Sequence, residues 1–121
     1  MQYLLMLYSQ ENGWSQMSKT EQEQAMVAYS AYTEALTKSG ALKGSNRLQM
    51  TSTATTVRVA NDKPQVLDGP YADSKEQLGG YYLIDVPDRD AAISWASRCP
   101  AASHGIVEVR PIWAPPYNLP R

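Results

Sequence analysis

The chain has 121 residues, 43% of them hydrophobic, with a formal net charge of −1, one cysteine and one histidine. That length predicts one domain able to bury a core without disulfides or a metal. The charge balance excludes a basic surface for nucleic acid, the lone Cys99 excludes an internal disulfide and fits a reducing cytoplasm, and the apolar run Tyr3–Tyr8 is too short for a signal peptide or a membrane span.

Gln2 to Tyr8 is apolar almost without a break, which predicts a central strand buried on both faces. Ser9 to Gln16 reads as a polar loop pivoting on Gly13, with Trp14 in need of a packing partner. A helix is predicted over 18–39. Ser18 and Glu21 have capping-box spacing, Lys38 lies in the last turn, and Gly40 suits the position after the end. Ala25, Tyr29, Tyr32 and Leu36 make its apolar stripe, widened by Met26.

Ala41 to Asn46 reads as a loop and Arg47 to Met50 as a short strand. Thr53 to Ala60 is a stronger strand, with Val57 and Val59 on one side and Ala54, Thr56 and Arg58 on the other. Asn61 to Pro64 is a turn, and Gln65 to Asp68 returns to complete a hairpin. Pro70 breaks the strand. Asp73 and Glu76 have cap spacing for one helical turn over 74–78. Gly79-Gly80 then leads into a strand over Tyr81 to Val86.

Asp88 caps a second helix with the stripe Ala92, Trp95, Ala96 and Cys99, stopped by Pro100. Ile106 to Ile112 is the last strand, with Val107 and Val109 facing one way and Glu108 and Arg110 the other. The domain spans 1–113, and residues 114–121 are a Pro-rich tail. The order reduces to a ferredoxin-like β-α-β-β-α-β core with an extra β-hairpin, an α+β fold. Two helices cover one face of an antiparallel sheet. The other face needs a cover, which predicts a homodimer through opposed sheet faces.

The segments Asp68-Gly69-Pro70-Tyr71, Lys75-Glu76-Gln77-Leu78-Gly79-Gly80-Tyr81-Tyr82, Asp85-Val86-Pro87 and Glu108-Val109-Arg110-Pro111, with Ala54-Thr55-Thr56-Val57-Arg58, resemble the DGPF-domain branch of the YCII-related proteins. The resemblance covers nearly the whole chain. It implies the dimeric α+β barrel fold of these small bacterial proteins, a dimer and a pocket, and no particular reaction. The wider group is described as having a histidine–aspartate site with the histidine on the first helix, and one relative is a dehydrochlorinase. Here that place falls near Tyr29, and the first helix holds no histidine, so a histidine-dependent mechanism does not carry over. Proteins of this branch are often encoded beside extracytoplasmic-function sigma factors, which implies a regulatory setting.

Asp68 leads the candidate site residues. At the end of a strand it suits a general base or acid if desolvated, or an acceptor of backbone N–H groups in its own turn. Lys75 suits an anionic ligand or a solvated charge. Glu76 suits a hydrogen bond to that ligand or half of a capping box. Gly79-Gly80 suits close ligand approach, a bulge or a strand entry. Tyr3, Tyr71 and Tyr81, with Tyr82, suit an aromatic ligand or a core with hydrogen-bonded tips. Arg58 suits a ligand carboxylate or a cross-strand ion pair with Asp68. His104 reads as an exposed loop residue and Cys99 as core. A Cys/His metal site is excluded by count, and no cofactor is expected.

Two functions follow. One is a cofactor-free acid–base enzyme, lyase- or isomerase-like, acting on a small anionic or aromatic molecule. The other is a non-catalytic small-molecule-binding or regulatory accessory protein.

Overall fold

A computed structural model describes residues 1–114, so the Pro-rich tail beyond lies outside the described residues. In chain order the elements are β1 (Gln2–Ser9), α1 (Asn12–Gln16), α2 (Lys19–Ser39), β2 (Leu42–Arg47), β3 (Thr55–Ala60), β4 (Lys63–Asp68), β5 (Gln77–Asp85), α3 (Arg89–Arg98) and β6 (Ile106–Pro111). All strand pairs are antiparallel, and the architecture is mixed α+β. Four strands form a sheet in the order β2-β5-β1-β6, and β3 pairs with β4 in a separate two-stranded sheet.

The strand β1 is central, but its burial alternates. Tyr3 and Leu5 are 3% and 0% exposed, while Leu4 and Met6 are only half-buried. Burial on both faces fails within one chain because Tyr3 and Leu5 point to the packed side, where they join Tyr32 and Leu36 of α2, Tyr82 and Ile84 of β5, and Ala92 and Ala96 of α3.

The helix α2 has its expected ends. Ser18 Oγ accepts from the Glu21 N–H at 3.1 Å, and a Glu21 carboxylate oxygen accepts from the Ser18 N–H at 2.9 Å. The bond from the Ser18 backbone, then the contact with its hydroxyl, holds the Glu21 carboxyl below its ordinary range. Gly40 ends the helix with φ +79°. Tyr32 and Leu36 are buried and Tyr29 is half-buried. Met26 is 57% exposed, because one position round from Ala25 it turns away from the stripe.

The Tyr32 hydroxyl donates to the Trp95 carbonyl at 2.7 Å. Its ring meets Tyr82 edge-on at 5.2 Å and Trp95 at 6.1 Å, so one side chain joins α2, α3 and the sheet. Asp88 caps α3 by accepting from the Ala91 N–H at 2.9 Å, and the stripe Ala92, Trp95, Ala96, Cys99 packs inward as expected.

Several local expectations are corrected. Residues 9–16 are not wholly loop: Asn12–Gln16 is helical, and Trp14 finds its partner in the Arg47 guanidinium, 4.8 Å above the ring. Leu42–Arg47 is a strand and 48–50 is not. Its composition is poor for a strand, and pairing with β5 from Leu42–Ile84 to Arg47–Gly80 decides its conformation. No helical turn forms over 74–78. Gln77 already begins β5, and its side chain donates to the Ser74 carbonyl at 2.9 Å. The hairpin turn is two residues long, with Asn61 and Asp62 at φ +52° and +61°, so β4 resumes at Lys63 rather than Gln65.

Candidate functional site

Alternation along the strands of the four-stranded sheet leaves a second face turned from the helices. On β1 this face carries Leu4 and Met6. Leu4 stands opposite Leu83 and Arg110, and Met6 opposite Tyr81 and Glu108. Tyr81 stands opposite Asn46, whose amide donates to the tyrosine hydroxyl at 2.8 Å. Arg110 forms an ion pair with Glu108 at one margin. The result is a stripe of Leu4, Met6, Tyr81 and Leu83, half-buried and bordered by polar groups, with no helix or strand of the described residues packed over it.

At one end of this sheet the chain is tied together by Glu11. Its carboxylate accepts from the Thr51 N–H and the Thr51 hydroxyl, both at 2.6 Å, and its own N–H donates to the Gln77 side chain at 3.1 Å. The Leu48 N–H donates to the Gly79 carbonyl at 2.9 Å. A shallow groove beside this clamp is lined by Gln10, Glu11, Asn12, Lys75 and Gln77. The bulge weighed for Gly79-Gly80 is present: β1 pairs Leu7 with Gly80 but Tyr8 with Leu78, leaving Gly79 as the extra residue. Gly80 is required by close approach, since a Cβ there would lie 2.9 Å from the Asn46 carbonyl oxygen.

The sequence candidates do not gather in one place within a chain. Asp68 is exposed at the end of β4, opposite Thr55, with no hydrogen bond to its carboxylate among the described residues. The turn around it is held by backbone and hydroxyl groups instead: the Gly69 N–H donates to the Ala54 carbonyl at 2.7 Å, and the Thr56 hydroxyl to the Gly69 carbonyl at 2.8 Å. Arg58 faces Gln65 on the other side of the hairpin, so the expected pair with Asp68 does not form. Tyr71 is 80% exposed. Lys75 is exposed at the groove, and the Glu76 carbonyl accepts from the Ser74 hydroxyl.

Tyr3 lies in the core on the helix side, its hydroxyl 3.4 Å from the Met1 sulfur, while Tyr81 is on the opposite, open face. His104 is an exposed loop residue beside Ser103, and no group of metal-ligating side chains occurs among the described residues. Composition pointed to none of Leu4, Met6, Asn46, Leu83 or Glu11. The one legible signal was the alternation in β6 that puts Glu108 and Arg110 on a face away from Val107 and Val109.

The YCII-related domain matches residues 1–115. The chain belongs to the YCII-related family. It is also similar to an uncharacterised protein of Rhizobium meliloti (strain 1021), with 39% identity over 114 residues, covering 93% of this chain and 92% of that protein. The place expected from the resemblance for a helix histidine, near Tyr29, lies on α2. Tyr29 lines a groove on α2 with Ser30, Thr33, Glu34 and Thr37. Burial, then the neighbouring Cys99 and Tyr82, pushes its phenol up to about 12, so it stays protonated near neutral pH and is no substitute for an imidazole base. No helix of the described residues is long and apolar enough to cross a membrane.

Proposed function

We propose that this YCII-related protein is a non-catalytic binding protein for a small, mainly aromatic or apolar molecule. We place it in the DGPF branch and assign it a ferredoxin-like core that works as a homodimer. The observation that carries this reading is the uncovered stripe Leu4, Met6, Tyr81 and Leu83, bordered by Asn46 and the Glu108–Arg110 pair. Apolar walls with a few placed polar groups are what a small-molecule site requires. Two copies with these faces opposed would bury the stripe and enclose the ligand between them. The strand order β2-β5-β1-β6, with α2 and α3 packed on one side, supports the ferredoxin-like reading. The sequence Asp68-Gly69-Pro70-Tyr71 supports the branch, and the sole, buried Cys99 supports a reducing compartment such as the cytoplasm.

The acid–base reading is the weaker one. A carboxylate that works as a base near neutral pH needs desolvation, and Asp68 stands exposed, apart from Tyr3 and Tyr81. The test is a thermal-shift screen of wild type, Tyr81→Ala and Asp68→Asn against small aromatic carboxylates and neutral aromatics. A ligand at roughly 100 times its Kd stabilises by ~2.7 kcal/mol. The expected hit raises the melting temperature of wild type and Asp68→Asn, and not of Tyr81→Ala. A hit that is turned over by wild type and not by Asp68→Asn would reverse the choice in favour of the enzyme.

A further inference from the structure

The β3–β4 hairpin leaves the body of the chain. It is amphipathic: the strand register puts Val57, Val59, Pro64 and Val66 on one face, and Arg58, Gln65 and Lys63 with Leu67 on the other. An antiparallel pair with an apolar face normally buries that face. Here Val57, Val59 and Val66 are 61%, 66% and 61% exposed, and the hairpin barely touches any other element. A two-stranded hairpin standing alone is at best marginally stable in water. Its base is nevertheless set by the Ala54–Gly69 bond, and the segment leading into it by the Glu11–Thr51 clamp and the Leu48–Gly79 bond.

We propose that this hairpin is an arm whose apolar face packs on a second copy of the same chain, closing one end of that copy's open sheet face and bringing Asp68 to the seam. The inference rests on the homodimer proposed above and adds what the arm does in it. A second copy is the occupant that fits. Among the described residues the arm and the stripe of Leu4, Met6, Tyr81 and Leu83 are both left uncovered, and a single two-fold operation covers both in both copies.

The areas agree. At about 100 Å² for each exposed aliphatic side chain, an arm face of four residues offers ~400 Å². With a like area covered on the opposing body, each copy loses roughly 800 Å², the amount expected of a stable interface. A net charge of −1 sets little repulsion between copies. Lys63 and Pro64, at the start of β4, oppose the addition of a further strand, which keeps the assembly closed rather than fibrous.

The experiment compares the mass in solution, by sedimentation over nanomolar to micromolar concentration, of wild type, Val57→Asp/Val66→Asp and Met6→Asp. The arm residues are exposed in a single copy, so the double variant is expected to keep its circular dichroism while its dimer Kd rises roughly 100-fold, through two carboxylates stranded in an apolar contact. A double variant that dimerises like wild type overturns the arm. If that happens while Met6→Asp dissociates, the sheet-face dimer stands and only the arm falls. A wild type that is monomeric throughout overturns both.

A second measurement leaves the arm's apolar face intact. Asp62→Cys, spin-labelled at the hairpin tip, is mixed with isotope-labelled wild type. Broadening of open-face signals in the unlabelled-spin partner is the expected result, and its absence counts against the arm, whatever the double variant does.

Discussion

A Cβ at position 105 would collide with the Tyr8 carbonyl oxygen and lie 3.1 Å from the Ser9 Cβ, so the backbone before β6 can run against β1 only if that residue is glycine. Gly105→Ala must push the two strands apart. It is expected to cost about 1–3 kcal/mol in urea unfolding, as overpacking does. Leu36, with no exposed surface, sits where α2 meets the sheet. Leu36→Ala is expected to cost about 2–5 kcal/mol, with the m-value unchanged if only the native state is affected. Ser18, Glu21, Gly40 and Asp88 were legible from sequence because a cap is made by residues three or four apart. Gly105 was not, because its need for space arises from β1 lying beside β6, a contact nearly a hundred positions away along the chain.

The same division holds between elements. Helices α2 and α3 and the strands β1, β3, β5 and β6 follow from patterning carried in their own residues. Strand β2 does not: Leu42-Lys43-Gly44-Ser45-Asn46-Arg47 becomes a strand because β5 offers it an edge. The helical turn over 74–78 is absent because Gln77 is drawn into β5 and into bonds with Glu11 and Ser74. The Glu11 clamp was invisible for a related reason, since its partners Thr51 and Gln77 are far from it in sequence. Glu11→Ala strands the Thr51 N–H and hydroxyl. The expected outcome is a loss of about 1–2 kcal/mol, with faster amide exchange confined to residues 48–54 rather than spread over the core.

For the molecule as a whole, the buried phenols set an alkaline limit. Burial is the largest cause raising Tyr29, Tyr32 and Tyr82; Cys99 reinforces it at all three, and Tyr82 reinforces it at Tyr29 and Tyr32. The bond between the Tyr82 and Thr33 hydroxyls partly opposes the shift at Tyr82. In an unfolded chain these groups lose their protons near pH 10, whereas Tyr29 does so at about 12 when folded. The folded state therefore keeps protons that the unfolded state gives up. Stability should be complete below pH 10 and fall as pH rises from 10 towards 12. Melting temperatures across that range should show the fall, and ultraviolet titration of the folded protein should show part of the tyrosine absorbance change delayed beyond the ordinary phenol range.

The α+β class was legible at this scale because the amphipathic stripes announce it. The scattering of the candidate residues was not, since Tyr3 and Tyr81 share a residue type and lie on opposite faces of one sheet.

Cys99 gives the protein a built-in clock. It is the chain's sole thiol, 2% exposed, and burial raises it above its ordinary range against the partial help of the Ala101 N–H. A thiol reagent added to the native protein therefore reacts no faster than the packing of α3 against the sheet comes apart. Each molecule can be marked once and at one place, so the labelling rate counts how often the core opens, and a bound ligand or a second copy that steadies the sheet will be read as a slower tick.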